Sequence, residues 1–169
     1  MTTKLYRRSP DGALDYHEAW LRDGEITEHW GRVGSTGDQR VHPLPDRRKG
    51  RAELARILAP ARQRGFSEIA DDDHARLLVE YEIEGMGTPA DVDKRARLED
   101  LLNELLGWTG LGHCDGGSIG SGTMEACCFV VDFQIAKRVV QDGLAGTEFG
   151  DFSRIFDEDA DQNILGRHP

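Results

Sequence analysis

Between Glu28 and Arg40 the chain reads EHWGRVGSTGDQR. Trp30, Arg32 and Arg40 stand in a stretch whose Gly31, Gly34 and Gly37 mark a turn and let another backbone approach closely. An indole face gains roughly 1–3 kcal/mol per stacked base. A guanidinium fork matches a pair of phosphate oxygens. Together these residue types suit a planar, anionic ligand. The plainer role is that Trp30 plugs its own core and Arg32 braces the turn.

Other constellations carry weaker chemistry. HCDGGSIGSG, from His113 to Gly122, is glycine-rich. No Gly-Lys-Ser/Thr follows it, and a strand rather than a helix is expected after it, so it reads as a flexible hairpin loop rather than a phosphate cradle. His113, Cys114, Asp115, Cys127 and Cys128 are metal-ligand types. Neighbouring strand residues point to opposite faces, so Cys127 and Cys128 do not readily share an ion, and no C-x-x-C occurs. No metal or cofactor is expected, and the cysteines read as buried small thiols. A nucleophile pair of Cys114 or Cys127 with His113 or His74 is selected by nothing in the spacing. Glu80, Glu82 and Glu84 repeat on one strand face and read as solvated, with a basic partner or a cation as the alternative. No catalytic set stands out, and the chain is expected not to be an enzyme.

Positioning such residues takes folded elements, and the composition bounds them. The chain has 169 residues, 38% apolar and 31% charged, which suits two modest cores better than one deep one. No run of 18 apolar residues occurs and MTTKLYRRSP holds no apolar stretch, so neither a membrane span nor a signal peptide is expected. Three cysteines, an odd number, do not make a disulfide framework, which favours a reduced, cytoplasmic setting. Net charge is −10 but unevenly placed: residues 1–70 carry 13 Lys and Arg against 10 Asp and Glu, and residues 71–169 carry 8 against 21. The first part can meet a polyanion; the second repels one.

The charge shift falls at ADDDHAR, Ala70–Arg76, where a domain boundary is expected. The first half reads as a small sheet plus one helix. Strands are expected at Lys4–Arg8, Tyr16–Leu21, Glu25–Val33 and Arg40–Leu44, with Asp23-Gly24 and Gly34–Gly37 as turns. Pro43 and Pro45 mark the last strand as an edge. Leu54, Ile57, Leu58 and Ala61 recur at helical spacing, Pro60 is expected to kink or weaken the last turns, and Gly65 suits the C-terminal cap. GFSEI then reads as a short closing strand. At about 100° per residue Arg48, Arg51 and Arg62 share one helix flank, a basic surface that Arg40 and Arg47 would extend or simply a solvated face.

In the second half Leu77, Val79, Tyr81 and Ile83 alternate with Leu78, Glu80, Glu82 and Glu84, as in a half-buried strand. Thr88, Pro89 and Asp91 start a helix whose buried face is expected from Leu98, Leu101, Leu102 and Leu105. Strands at Gly110–Asp115 and Thr123–Asp132 flank the glycine-rich loop. A second helix follows at Phe133–Leu144, with Ala136, Val139 and Val140 inward, and a last strand at Phe152–Phe156. The order is β-α-β-β-α-β, the ferredoxin-like arrangement. Residues 159–169 read as a flexible tail.

HWGRVGSTGD, with the hairpin YHEAWLRDGEITE before it and a helix ending in RGFSEI after it, resembles the WGR domain over roughly Lys4 to Ala70. Domains of that family occur in poly(ADP-ribose) polymerases, where they help recognise DNA breaks, and in many bacterial proteins. The resemblance implies that Trp30 stacks on a terminal nucleotide and that Arg32 binds phosphate or a neighbouring domain. It implies a binding module rather than ADP-ribosyl transfer, because the chain has no room for the polymerase catalytic domain.

The expected fold is therefore α+β: a WGR-like small antiparallel sheet with one helix in residues 1–70, followed by a ferredoxin-like β-α-β-β-α-β domain in residues 76–158. The expected function is non-enzymatic binding of DNA or RNA, at a DNA end or break, through Trp30, Arg32, Arg40, Arg47, Arg48, Arg51 and Arg62. The acidic second half would regulate the first or dock a protein partner. The alternative is a protein-interaction or small-molecule-sensing adaptor that binds no nucleic acid.

Overall fold

The computed structural model describes residues 1–44 and 46–160, except the side chain of Arg47. The backbone divides within the acidic stretch into two units. The first comprises Met1–Asp71 with Trp108–Gly110; the second comprises Asp72–Gly107 and the chain from Leu111 onward.

The first unit is built on a four-stranded antiparallel meander, β1 (Thr2–Arg8), β2 (Leu14–Arg22), β3 (Glu25–Arg32) and β4 (Asp38–Pro43), in that spatial order. Asp23 at φ 51° and Gly24 at φ 85° make the two-residue turn between β2 and β3. The turn fixes the register, with Leu21 opposite Ile26, Ala19 opposite Glu28, His17 opposite Trp30 and Asp15 opposite Arg32. β4 is an edge strand, in keeping with Pro43; Pro45 lies outside the described residues.

Helix α1 (Gly50–Gln63) lays Leu54, Ile57, Leu58 and Ala61 on Leu5, Ala19 and Ile26, and Leu44 and Phe66 close the same core. Each fully buried aliphatic chain there contributes about 1.5–3 kcal/mol. Pro60 does not end the helix, which runs on through Gln63. The expected closing strand is reduced to one bridge, Tyr6 to Ser67, with backbone bonds of 2.7 and 2.9 Å. β1 is the sheet edge at that point, so this single pairing is all the segment needs to bring Phe66 alongside it.

The second unit has β5 (Ala75–Glu82), α2 (Pro89–Gly107), β6 (Gly112–Gly120), β7 (Thr123–Val130), α3 (Phe133–Leu144) and β8 (Arg154–Asp157). Its sheet order is β6-β7-β5-β8, with every neighbouring pair antiparallel. The β-α-β-β-α-β order is as expected, and the fold class is α+β. Asp91 Oδ2 accepts from both the Thr88 amide and hydroxyl at 2.7 Å, capping α2. α3 is capped by Asp132, which accepts from the Ile135 amide at 3.0 Å.

Several sequence expectations shift here. α2 buries Leu98, Leu102 and Leu106, one i, i+4, i+8 row, while Leu101 and Leu105 are half-buried on its flank. Val139 of α3 is likewise half-buried, beside buried Ala136, Val140 and Leu144. On β5 Leu78 is buried together with Leu77 and Val79, so both faces of that central strand are covered. Glu80 is not simply solvated: its carboxylate holds Arg154 at 2.9 Å, and it is half-buried. The glycine-rich run is not a loop. Most of it is β6, paired to β7 with a bulge between Cys114 and Gly117, and the turn is only Ser121-Gly122. Glycine disfavours a strand locally, but the ladder to β7 outweighs that preference.

Candidate functional site

β3 presents Glu28, Trp30 and Arg32 on the sheet face that carries α1, because side chains two apart share a face. Trp30 lies beyond the helix-covered core and is half-buried. Its ring stacks on His17, its cross-strand partner, at 5.8 Å between centroids and 20° between planes. From the β4 side the Arg40 guanidinium lies 5.8 Å from the indole centroid. Arg40 is exposed, so this cation–π contact can open to a ligand.

A cleft of about 260 Å³ opens beside Trp30. His17 and Trp30 line it together with Phe66, whose ring meets His17 edge-on at 5.9 Å. Arg7 and Arg64 flank Phe66, their guanidiniums 4.6 and 5.9 Å from its centroid. Arg7 also pairs with Asp15 at 3.3 Å, a loose contact, and among the described residues its buried Nε has no hydrogen-bond partner. The arrangement is a floor of three rings with guanidiniums on the rim and one carboxylate, Asp15. Chemically it can hold a planar group against the rings and an anion against the rim.

Carboxylates and imidazoles support the site from both sides of the sheet. On the Trp30 face Glu28 accepts from His17 Nε2 and His42 Nε2, at 2.8 Å each, one on each oxygen. Burial pushes the Glu28 pKa up, but the two histidine bonds outweigh it and hold the carboxyl below its ordinary range. On the opposite face His29 is buried with Glu18. Its Nδ1 lies 2.8 Å from Glu18 Oε1, and its Nε2 donates to the Thr36 carbonyl at 2.7 Å. Tyr16 Oη, 2.9 Å from the same nitrogen, passes its own proton to the Ser35 carbonyl at 3.2 Å. Both ring nitrogens of His29 thus face acceptors, and the loop after β3 is tied down behind Trp30.

The glycines serve this loop. A Cβ on Gly31 would stand 2.8 Å from Gly37 Cα, and one on Gly37 only 2.2 Å from the Trp30 carbonyl oxygen. The backbone that approaches closely is the protein's own.

Of the residues expected to bind, Trp30 lines the cleft, and Arg40 lies against its ring from the β4 side without lining the cleft. Arg32 is on the same face but exposed, and pairs with Asp11 of the β1–β2 turn at 2.9 Å. Arg62 pairs with Glu68 at 2.7 Å. Arg48 and Arg51 are exposed near the start of α1. Arg51 and Arg62 are eleven residues apart, about 16 Å along a helix, so the helix arginines do not form one compact patch. The side chain of Arg47 lies outside the described residues. Sequence reading missed Arg7, His17, Arg64 and Phe66. The signal for His17 was present, since it and Trp30 are equidistant from the Asp23-Gly24 turn.

No protein-family model matches the sequence, and no curated protein matches it. Among solved structures, a protein of Bacteroides fragilis aligns with 43% of this chain at 12% identity and a TM-score of 0.37, below the level at which a shared fold follows. The aligned part is 20% of that protein's length.

Proposed function

We propose that the first unit is a WGR-like, non-enzymatic nucleic-acid-binding module that takes a DNA end or break at the Trp30 cleft. The observation that carries this reading is the half-buried Trp30 with Arg40 beside its ring, next to a cleft rimmed by Arg7 and Arg64. A base laid on the rings gains roughly 1–3 kcal/mol, and phosphates find the Arg7 and Arg64 guanidiniums beside Phe66. The net +3 of residues 1–70, from 13 basic and 10 acidic side chains, adds long-range attraction. The acidic second unit is the docking or regulatory element of this reading. Three free cysteines suit a reducing cytoplasm.

Fluorescence anisotropy with the full chain tests it, using nicked, blunt, single-stranded and RNA probes across a salt series. Binding that weakens as salt rises, and that folded Trp30→Ala and Arg40→Ala variants lose, is the expected result. Absence of binding to every probe at low salt overturns it. The cleft volume of about 260 Å³ also approaches that of small-molecule pockets. That favours, as second reading, a sensor for a small planar anion, whose ligand would raise the melting temperature with no salt-dependent binding of the probes.

A further inference from the structure

Cys114 of β6 and Cys128 of β7 face each other directly across the sheet. Their pairing is of the wide kind. Val131 donates to the Leu111 carbonyl at 2.9 Å, which makes that pair hydrogen-bonded and, by alternation, Cys114 and Cys128 non-hydrogen-bonded. Cys114 spends its backbone groups on Asn103 of α2 instead, donating to Oδ1 at 2.9 Å and accepting from Nδ2 at 3.2 Å. In such a pair the Cα atoms stand about 4.5 Å apart, inside the range that a disulfide spans. The Cys114 thiol donates across the ladder to the Cys127 carbonyl at 3.2 Å, and both Cys114 and Cys128 are buried. Cys127, although adjacent in sequence, projects to the other face of β7 and is half-buried.

We propose that Cys114 and Cys128 form an oxidation site, a dithiol that closes to a cross-strand disulfide with a two-electron thiol oxidant. With an azo oxidant such as diamide, one thiol adds across the N=N bond to give a sulfenylhydrazine. The second sulfur then attacks the first, the S–N bond breaks and the S–S bond forms. The hydrazine leaves with both thiol protons and both electrons. The neighbouring Cys114 side chain and burial push the Cys128 thiol well above its ordinary range, so Cys128 rests as a thiol until an oxidant reaches it. β6 is an edge strand, and closure would pin it to β7.

The test treats the native full chain with diamide, blocks remaining thiols under denaturing, non-reducing conditions, and maps the peptides. The expected product links Cys114 to Cys128 and leaves Cys127 alkylated. Cys127→Ser keeps the link, Cys114→Ser and Cys128→Ser each abolish it, and the oxidised chain melts at a higher temperature than the reduced one. A link that persists in Cys128→Ser, or full alkylation of every cysteine in both wild type and Cys127→Ser after exhaustive oxidation, overturns the proposal. Because wild type and Cys127→Ser carry both readouts, a misfolded Cys128→Ser protein does not leave the question open.

Discussion

His29 Nδ1 and Glu18 Oε1 are 2.8 Å apart, and both side chains are buried. With the Thr36 carbonyl on Nε2, this imidazole faces an acceptor at each ring nitrogen, which favours its protonated form. Lys4 lies 3.3 Å from the other Glu18 oxygen. The pair underlies the segment that carries Trp30.

Stability should therefore depend on pH through His29. Burial works to lower its pKa, but the bonds to Glu18 and Thr36 outweigh it and raise the pKa above its ordinary 6.5. The folded state thus holds a proton that the unfolded chain releases first. The stabilisation is fully present below about pH 6.5 and is lost as pH rises through the folded value. Melting temperature measured from pH 5.5 to 9 should fall for wild type relative to His29→Gln. At pH 6 that variant should lose about 3–5 kcal/mol, as when one partner of a buried pair is removed. Parallel pH curves for the two proteins would contradict the assignment.

Glu28 has the opposite sign. Burial pushes its pKa up, but the bonds to His42 and His17 prevail and hold it below the ordinary 4.5. A depressed carboxyl contributes stability above its unfolded value and loses it as pH falls through the folded one. Wild type should therefore converge on Glu28→Gln in an acid titration below about pH 4.5, and exceed it at pH 6.

How much of this could be read from the chain differs by feature. The β2–β3 hairpin was legible, because a two-residue Asp-Gly turn sets the register and hence which residue opposes which. α3 was legible from its cap and periodicity. The cleft was only half legible. Arg7 and Phe66 are distant in sequence and meet because Tyr6 bridges Ser67; the extended GFSEI segment was legible, but nothing local names β1 as its partner. The glycine run in β6 was misread because local propensity points to a loop, whereas pairing with β7 is a tertiary effect. Trp30 stood out in the sequence by residue type, but its stacking on His17 depends on the register being worked through.

Gly31 and Gly37 test how tightly the loop behind Trp30 is packed. Gly31→Ala places a methyl 2.8 Å from Gly37 Cα and 3.2 Å from the Tyr16 ring. A cost of about 1–3 kcal/mol is expected in urea melts. Gly37→Ala should cost more, since its methyl meets the Trp30 carbonyl at 2.2 Å and its φ is +58°. Equal, negligible losses would show that the loop gives way freely.

Arg40 and Arg32 separate the Trp30 ring from the rest of the basic face. Arg40 lies against Trp30, so Arg40→Ala should remove both a phosphate contact and a cation–π partner. Nucleic-acid binding should weaken about tenfold, equivalent to about 1.4 kcal/mol, and the salt slope should fall by about one unit. Arg32 is already paired with exposed Asp11 at 2.9 Å, and must give up that contact to reach a ligand. Arg32→Ala should therefore change the affinity less than Arg40→Ala. Trp30→Ala should exceed both, by the roughly 1–3 kcal/mol of a stacked base, with circular dichroism confirming a folded sheet. The order Trp30, Arg40, Arg32 in anisotropy titrations would locate the ligand at the cleft. A larger loss at Arg32 than at Arg40 would move it to the β1–β2 turn, where Asp11 and Arg32 meet.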